Sequence, residues 1–255
     1  MIRAHMATFP ARADLVEGVV TRLLEQVDRL FLVFNEYEAI PAWANHRKIE
    51  PVIPDDDTKD VGKFFFHAAP GDTVFLVDDD LAYPSDYVSE TLRYADRVGG
   101  LEKCCLGHCG NALSPHTDRA GFAWTTFHMD RSLGRVRGAG LLGTGTVCCL
   151  GSSMPSFDWM RQFIGFCDLG FAIHQLEAQR LLWVLPKTAG WLRSILPDEL
   201  NATSLYHSVH NPRSVEQMPL FQRLATEWPH QGKSFASFNR EIASVPSEGE
   251  QSWSN

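Results

Sequence analysis

The chain has 255 residues, 44% of them hydrophobic, which suffices for one large domain or two small ones around an ordinary globular core. Its 31 acidic and 23 basic residues leave a formal charge of −8, which argues against a nucleic-acid partner, whose affinity would come chiefly from clustered Lys and Arg. No stretch reaches the roughly 20 apolar residues that span a bilayer; the longest candidate, GLLGTGTVCCLG at 140–151, is shorter and broken by glycine.

The first expected element is a strand, IRAHMAT at 2–8, closed by the break Phe9-Pro10-Ala11. After it, Asp14 and Glu17 have capping-box spacing and Leu15, Val19, Leu23 and Val27 recur every four residues, which predicts an amphipathic helix. LFLVF at 30–34 is short and continuously apolar, the pattern of a strand buried on both faces. Strand, helix and strand in this spacing form a βαβ unit, whose right-handed crossover makes the two strands parallel neighbours. Asp55, Asp56 and Asp57 follow Pro54 in a turn-rich stretch and read as a solvated acidic turn. TVFLV at 73–77 is a third buried strand, and a helix is expected to open near Pro84, Ser85 and Asp86. FAWTTFH at 122–128 reads as a strand, 138–145 as a glycine-rich loop, and FDWMRQFIGF at 157–166 as a helix or helix pair. A helix over 169–182 and a strand LLWVL at 181–185 follow, with overlapping boundaries. The pattern predicts an α/β fold with a mostly parallel central sheet flanked by helices: a single domain over 1–229, then a polar, loosely held tail over 230–255.

The run FLVDDDLAYPSDY, Phe75 to Tyr87, ends an apolar strand on three carboxylates, Asp78, Asp79 and Asp80. In open α/β sheets ligands bind beyond the carboxyl ends of the strands, and this position separates the triplet from Asp55 to Asp57. In extended backbone Asp78 and Asp80 share a side, about 6.6 Å apart along the chain, while Asp79 points away. Uncompensated, such carboxylates repel by several kcal/mol, a cost that a divalent cation reverses. All-oxygen ligands select Mg²⁺ or Mn²⁺, completed by water and substrate phosphates. The plain alternative is a solvated acidic loop.

Of the six cysteines, Cys104, Cys105, Cys148 and Cys149 come as vicinal pairs, a poor layout for a disulfide framework. They read as small buried apolar groups. Cys104, Cys105, His108 and Cys109 lack a second ligand pair with ribbon spacing, so zinc is not expected. MIRAHMATFPAR has neither a continuous apolar core nor a small-residue cleavage site, so no secretory signal is read there and a cytoplasmic compartment is expected.

Six segments in order resemble the nucleotide-diphospho-sugar glycosyltransferases of the GT-A fold, above all the bacterial family 2-like enzymes of capsule and surface-polysaccharide assembly. ATFPAR (7–12) is similar to their first strand and nucleotide loop, and KDVGKFFF (59–66) to a segment reading D-x-G-K-F. FLVDDDLAYPSDYV (75–88) resembles their D-x-D region, and LGHCG (106–110) and LLGTGTV (141–147) two later landmarks. FCDLGFAIHQLEAQRLLWVLPKTAGWL (166–192) resembles the final acid and helix, so the likeness extends over 1–195.

The resemblance implies a GT-A, Rossmann-like fold, a nucleotide-sugar donor with UDP the expected nucleotide, a glycan acceptor, and Mn²⁺ or Mg²⁺. It implies Asp80 as direct metal ligand, Asp78 near the ribose or metal, and Asp79 beside them in the donor site. Thr8, Pro10 and Arg12 would border the base, Asp60 and Lys63 would lie near uridine or the diphosphate, and Gly143, Thr144 and Gly145 would form the floor where donor meets acceptor. Plainer readings exist: Lys63 as a solvated surface charge, the glycines as a tight turn. LYHSVHNP offers His207 and His210 as a further metal ligand, or as ordinary histidines. His108 matches a landmark without an assigned role, and Trp124, Trp159, Trp183 and Trp191 offer either sugar-stacking faces or core.

Asp168 is the expected general base, taking the proton of an acceptor hydroxyl as it attacks the anomeric carbon. Its competing reading is a helix N-cap, where the helix dipole would depress its pKa. The expected reaction is therefore an inverting, hexosyltransferase-type transfer to a glycan hydroxyl in bacterial polysaccharide biosynthesis. A sugar-phosphate nucleotidyltransferase is the enzymatic alternative, disfavoured because ATFPARAD carries a lone Arg in place of a glycine-rich phosphate loop. A catalytically inactive module that binds nucleotide sugar or carbohydrate is the non-enzymatic one. Enzymes of this type often work at the inner face of the cell membrane or within larger polysaccharide-assembly proteins, and either setting is compatible with the sequence.

Overall fold

Apolar runs too short for helices build the centre of the molecule. The computed structural model describes residues 1–116, 121–203, 216–228 and 230–244, with the side chains of 202, 203 and 241–244 left aside. Its strands are β1 (Ile2–Thr8), β2 (Arg29–Phe34), β3 (Ile49–Val52), β4 (Thr73–Val77), β5 (Leu81–Ala82), β6 (Cys104–Gly107) and β7 (Gly110–Pro115). They continue with β8 (Phe122–Phe127), β9 (Arg137–Ala139), β10 (Leu141–Leu142), β11 (Thr146–Leu150), β12 (Leu181–Val184) and β13 (Arg193–Ser194). Eight of them form one sheet in the order β3-β2-β1-β4-β11-β6-β12-β9, in which β11 and β9 run against the rest. β10, β7 and β8 make a small second sheet, and β13 pairs with β5. The helices are α1 (Ala13–Leu24), α2 (Tyr87–Arg97), α3 (Phe157–Met160) and α4 (Cys167–Glu177), followed by helices Met218–Glu227 and Phe235–Ser244. This is the expected α/β domain: a large, mostly parallel, Rossmann-like sheet flanked by helices.

The sheet separates two apolar cores. Phe75 and Val77 face one side with Met6, Leu32 and the α1 residues Val16, Val19, Val20 and Leu23. Val74 and Leu76 face the other with Val147, Cys149 and the α4 residues Phe171 and Ile173. Period-2 alternation in a strand covered on both faces explains why TVFLV is apolar throughout. Each such side chain contributes about 1.5–3 kcal/mol by leaving water. The four vicinal cysteines are buried free thiols within these cores.

Several expected boundaries shift. α1 stops at Leu24, and Val27 is buried from the turn that follows. FDWMRQFIGF forms the short α3 and a 3₁₀ turn, Arg161–Phe163. α4 starts at Cys167 and ends at Glu177, which clears the overlap with β12. The stretch 138–145 is not one loop, because it contains the end of β9 and all of β10. A Cβ on Gly138 or Gly140 would collide with His230 or Gln231, so these glycines permit close packing. β3 carries Glu50 and Pro51 and lies at the sheet edge, where proline is tolerated. The loose tail expected from His230 is also corrected. His230 is fully buried, and the rings of Phe235 and Phe238 stand 5.2 and 5.6 Å from Trp183. Two phenylalanines among serines anchor this segment to the sheet, so residues 230–244 belong to the fold.

Candidate functional site

β2 lies on one side of β1 and β4 on the other, so the strand order reverses between β1 and β4. At such a switch point the connections leave in opposite directions and open a crevice at the strands' carboxyl ends. Thr8 ends β1 and Asp78 follows the last residue of β4. The ladder between β4 and the antiparallel β11 closes with Thr146 opposite Val77, which brings Gly145 beside Asp78. Tyr83 clamps this corner: its hydroxyl accepts the Asp78 N–H at 2.7 Å and donates to the Gly145 carbonyl at 2.6 Å.

Past Val77 the chain leaves the strand and turns, so strict alternation does not continue into the triplet. Asp78 pairs with the Lys63 ammonium. Asp79 points back to β1 and accepts the Thr8 hydroxyl at 2.7 Å. The Arg12 guanidinium donates to Asp80 at 2.7 Å and lies 3.7 Å from Asp79. The expected pincer of Asp78 and Asp80, with Asp79 turned away, is therefore replaced by Arg12 seated against Asp79 and Asp80. The chain's own cations offset much of the repulsion that the sequence posed. Burial, with help from Asp80 and Asp78 and against Thr8 and Arg12, pushes the Asp79 pKa up to about 7. Burial and the nearby Asp78 also raise that of Asp80.

Lys63 is 5% exposed, which corrects its reading as a surface charge. It comes from a 3₁₀ segment, Lys59–Phe64, whose Val61 and Phe64 enter the second core. His5 of β1 pins it further, its Nδ1 lying 3.0 Å from the Lys63 carbonyl. Burial pulls the ammonium's pKa down, but Asp78, Cys167 and Asp168 together outweigh it and the net shift is upward. Its Nζ also donates to the Thr144 hydroxyl at 3.3 Å.

Thr144 leads to the other half of the site. Its N–H and hydroxyl both donate to Asp168 Oδ1, at 2.8 and 2.6 Å. Lys63 thus stands between Asp78 and the Thr144–Asp168 pair. Asp168 lies in the first turn of α4 rather than at its N-cap, which is Phe166. Capping falls to Asp60, whose carboxylate accepts the N–H groups of Gly165 at 2.7 Å and Cys167 at 3.0 Å. Asp60 is thereby committed to holding the amino end of α4. The Asp168 pKa is raised by burial, against the opposing hydrogen bonds from Thr144 and the charge of Lys63, so dipole depression does not prevail. Gly143 and Gly145 flank Thr144 under tight packing: a Cβ on Gly145 would collide with Asp78 Oδ2, and one on Gly143 would press on Cys109 Sγ.

Pro10 is exposed at the start of the 3₁₀ turn Pro10–Arg12, directly before α1. His207 and His210 lie outside the described residues. Among the described residues no three His, Cys, Asp or Glu side chains gather as a metal cage. Asp78 and Asp80 do, however, each keep one carboxylate oxygen without a hydrogen bond to any described residue. Two carboxylates fit the mode in which Mg²⁺ or Mn²⁺ is completed by water and substrate phosphates. His108 is fully buried, 2.9 Å from Thr91 through Nε2, and burial with the charge of Lys187 lowers its pKa to about 3. Trp183 is core, Trp124 is exposed on β8, Trp159 packs on Phe163, and Trp191 is half-buried beside His108. Sequence reasoning missed Tyr83 and the service of Arg12 to the acids, since both depend on partners remote in the chain.

No protein-family model and no curated protein matches the chain. Among solved structures, Francisella tularensis 2-C-methyl-D-erythritol 4-phosphate cytidylyltransferase superposes with a TM-score of 0.44 at 7% identity, over 82% of this chain and 98% of that one. A likeness at that level carries no argument about chemistry.

Proposed function

We propose that the chain is a metal-dependent glycosyltransferase of GT-A type, moving a sugar from a nucleotide diphosphate, UDP foremost, to a glycan hydroxyl with inversion, in bacterial polysaccharide assembly. The observation that carries this reading is the meeting, at the switch point of the sheet, of an acid cluster and a separate half-buried acid, linked through Lys63 and Thr144. Breaking the glycosidic bond to a diphosphate builds negative charge on the leaving group. Fixed cations such as Lys63 and Arg12 then stabilise the transition state more than the ground state. Asp78 and Asp80 would hold a divalent ion through their unengaged oxygens, and the ion would supply Lewis-acid stabilisation there. Thr8, Pro10 and Arg12 would border the donor's base, with Asp79 behind them, while Gly143, Thr144 and Gly145 would floor the sugar.

Asp168 takes the acceptor proton in this scheme. Thr144 fixes one of its oxygens and leaves the other free among the described residues. A pKa raised by burial brings a carboxylate nearer to the operating pH, where a base is most effective. Asp60 serves indirectly, by fixing the helix that carries Asp168. A nucleotidyltransferase would call for a glycine-rich phosphate loop after β1, where ATFPARAD carries a lone Arg. No described helix is long and apolar enough to cross a membrane, so work at the inner membrane face would rest on peripheral attachment or a larger assembly.

The test is a thermal-shift panel of nucleotide sugars with and without Mn²⁺, on wild type and on Asp80→Ala. Metal-dependent stabilisation by UDP-sugars, lost in the variant, is expected, together with UDP release when a glycan acceptor is added. Pyrophosphate release from a nucleoside triphosphate and a sugar phosphate would point to nucleotidyl transfer instead. Binding without any turnover would indicate an inactive module, and absence of any nucleotide effect on wild type would end the donor-binding reading.

A further inference from the structure

A cavity of about 700 Å³ opens beside α2, lined by Asp86, Glu90, Tyr94, His108, Lys187 and Trp191 among others. Two of the residues that line it carry a buried polar atom without a hydrogen-bond partner among the described residues, Lys187 Nζ and His108 Nδ1. The Lys187 backbone is fixed by a two-way pairing with Leu133, at 2.9 and 3.0 Å, so the fold holds this residue at the cavity wall. Leaving a buried ammonium unpaired costs free energy, and that cost is recovered when an anion arrives. Burial lowers the Lys187 pKa, although Cys109 and the nearby charge of Asp130 oppose the shift.

The His108 tautomer follows from its neighbours. Thr91 Oγ1 donates to the Tyr87 carbonyl at 2.7 Å, so it can only accept from His108 Nε2–H at 2.9 Å. A neutral imidazole protonated at Nε2 leaves Nδ1 as a bare acceptor. The carboxylates lining the cavity have partners: Asp86 accepts Trp191 Nε1–H at 3.0 Å, and Glu90 pairs with Arg93. Trp191 stands 4.8 Å from the His108 ring and brings an aromatic surface to the cavity. A matching ligand has a ring face for the indole, a hydroxyl donor for Nδ1, and one anionic group for Lys187.

The cavity adjoins the acid site through two residues. Cys109 follows His108, and its carbonyl accepts the Gly143 N–H at 3.1 Å, next to the Thr144 that holds Asp168. We propose that this cavity binds the acceptor, and that the acceptor is an acidic saccharide whose carboxylate or phosphate is held by Lys187. The proposal rests on the glycosyl-transfer reading above and adds the acceptor's chemical class.

The experiment titrates methyl glucuronide, glucose 6-phosphate and neutral methyl glucoside into the full chain by calorimetry, for wild type, Lys187→Met and Lys187→Arg. Wild type should prefer an anionic sugar over the neutral one by at least about tenfold, the loss expected for one charged hydrogen bond. Lys187→Met should abolish that preference and Lys187→Arg should keep most of it. The glucuronide and the phosphate sugar distinguish the two anions. Lys187→Met should melt at or above the wild-type temperature, because it removes an amine with no partner; marked destabilisation would assign Lys187 a structural role and overturn the proposal. Equal affinity for charged and neutral sugars, no binding of any of the three, or undiminished affinity in Lys187→Met would overturn it too. Inorganic phosphate binding as tightly as the anionic sugars would do the same by removing the saccharide. UDP-sugar thermal shifts run in parallel separate the two readings. Lys187-dependent sugar binding without any nucleotide effect fails the donor reading and leaves the saccharide site standing, and the converse does the reverse.

Discussion

Arg12→Met retains much of the side chain's apolar reach and withdraws the charge facing Asp79 and Asp80. The guanidinium is 4% exposed, and the two carboxylates are 10% and 20% exposed. Removing one partner of a buried pair costs about 3–5 kcal/mol, because the remaining charge is held away from water. Two features reduce that figure here. Asp80 keeps some solvent, and Asp79, with its pKa already at about 7, can shed its charge near neutrality at little cost. The expected loss is roughly 2–3 kcal/mol, or a fall in Tm of about 4–12 °C for a chain of this size. A divalent cation should substitute for the missing charge, and at a hundred times its Kd it would restore about 2.7 kcal/mol. Differential scanning fluorimetry at pH 7.5 and 5.5, with and without Mn²⁺, measures both effects. The penalty should shrink at the lower pH, where the acids take up protons. If the variant melts with wild type at both pH values, the acids are solvated and the electrostatic reasoning fails. If the penalty is real but indifferent to Mn²⁺, the fit of a cation to these carboxylates is refuted.

Asp168→Asn retains an oxygen for Thr144 and should fold normally, bind donor unchanged and lose about 10²–10⁴ in turnover; a loss below tenfold removes Asp168 as the base. Gly145→Ala drives a methyl into Asp78 Oδ2, so a stability loss of about 1–3 kcal/mol with weakened donor binding is expected; wild-type melting and binding would show that the corner is not tight. Asp79 holds its proton up to about pH 7 in the fold but only to about pH 4 when unfolded, so its contribution to stability declines as pH rises through that window. Asp79→Asn should therefore gain on wild type from pH 4 to 7 and run parallel above it, and a pH-independent difference in Tm would contradict the burial argument. The comparison must be between the two proteins, because buried His5 and His108, both at about 3, lose stability in the opposite direction as pH falls below 6.5.

Local pattern was enough to locate β1, α1, β2 and β4, because burial on two faces or on one helical face leaves its period in consecutive residues. The acid triplet was legible for the same reason: its place at the end of an apolar strand is a property of thirteen adjacent residues, Phe75 to Tyr87. β6 and β7 escaped, since CCLG and GNALSP carry neither a long apolar run nor clean alternation and become strands by pairing with β12, β11, β8 and β10. The polar composition after His230 concealed two phenylalanines whose partner, Trp183, lies far back in the chain.

Composition and order along the chain determined that there is an α/β sheet and where its carboxylates emerge. Only the tertiary structure decided what those carboxylates face. Arg12 reaches Asp80 across 68 positions, Lys63 reaches Thr144 across 81, and Asp60 caps a helix 105 positions away. Ion pairing and capping depend on distance through space, and no short-range period in a sequence encodes which remote charge will be folded against which acid.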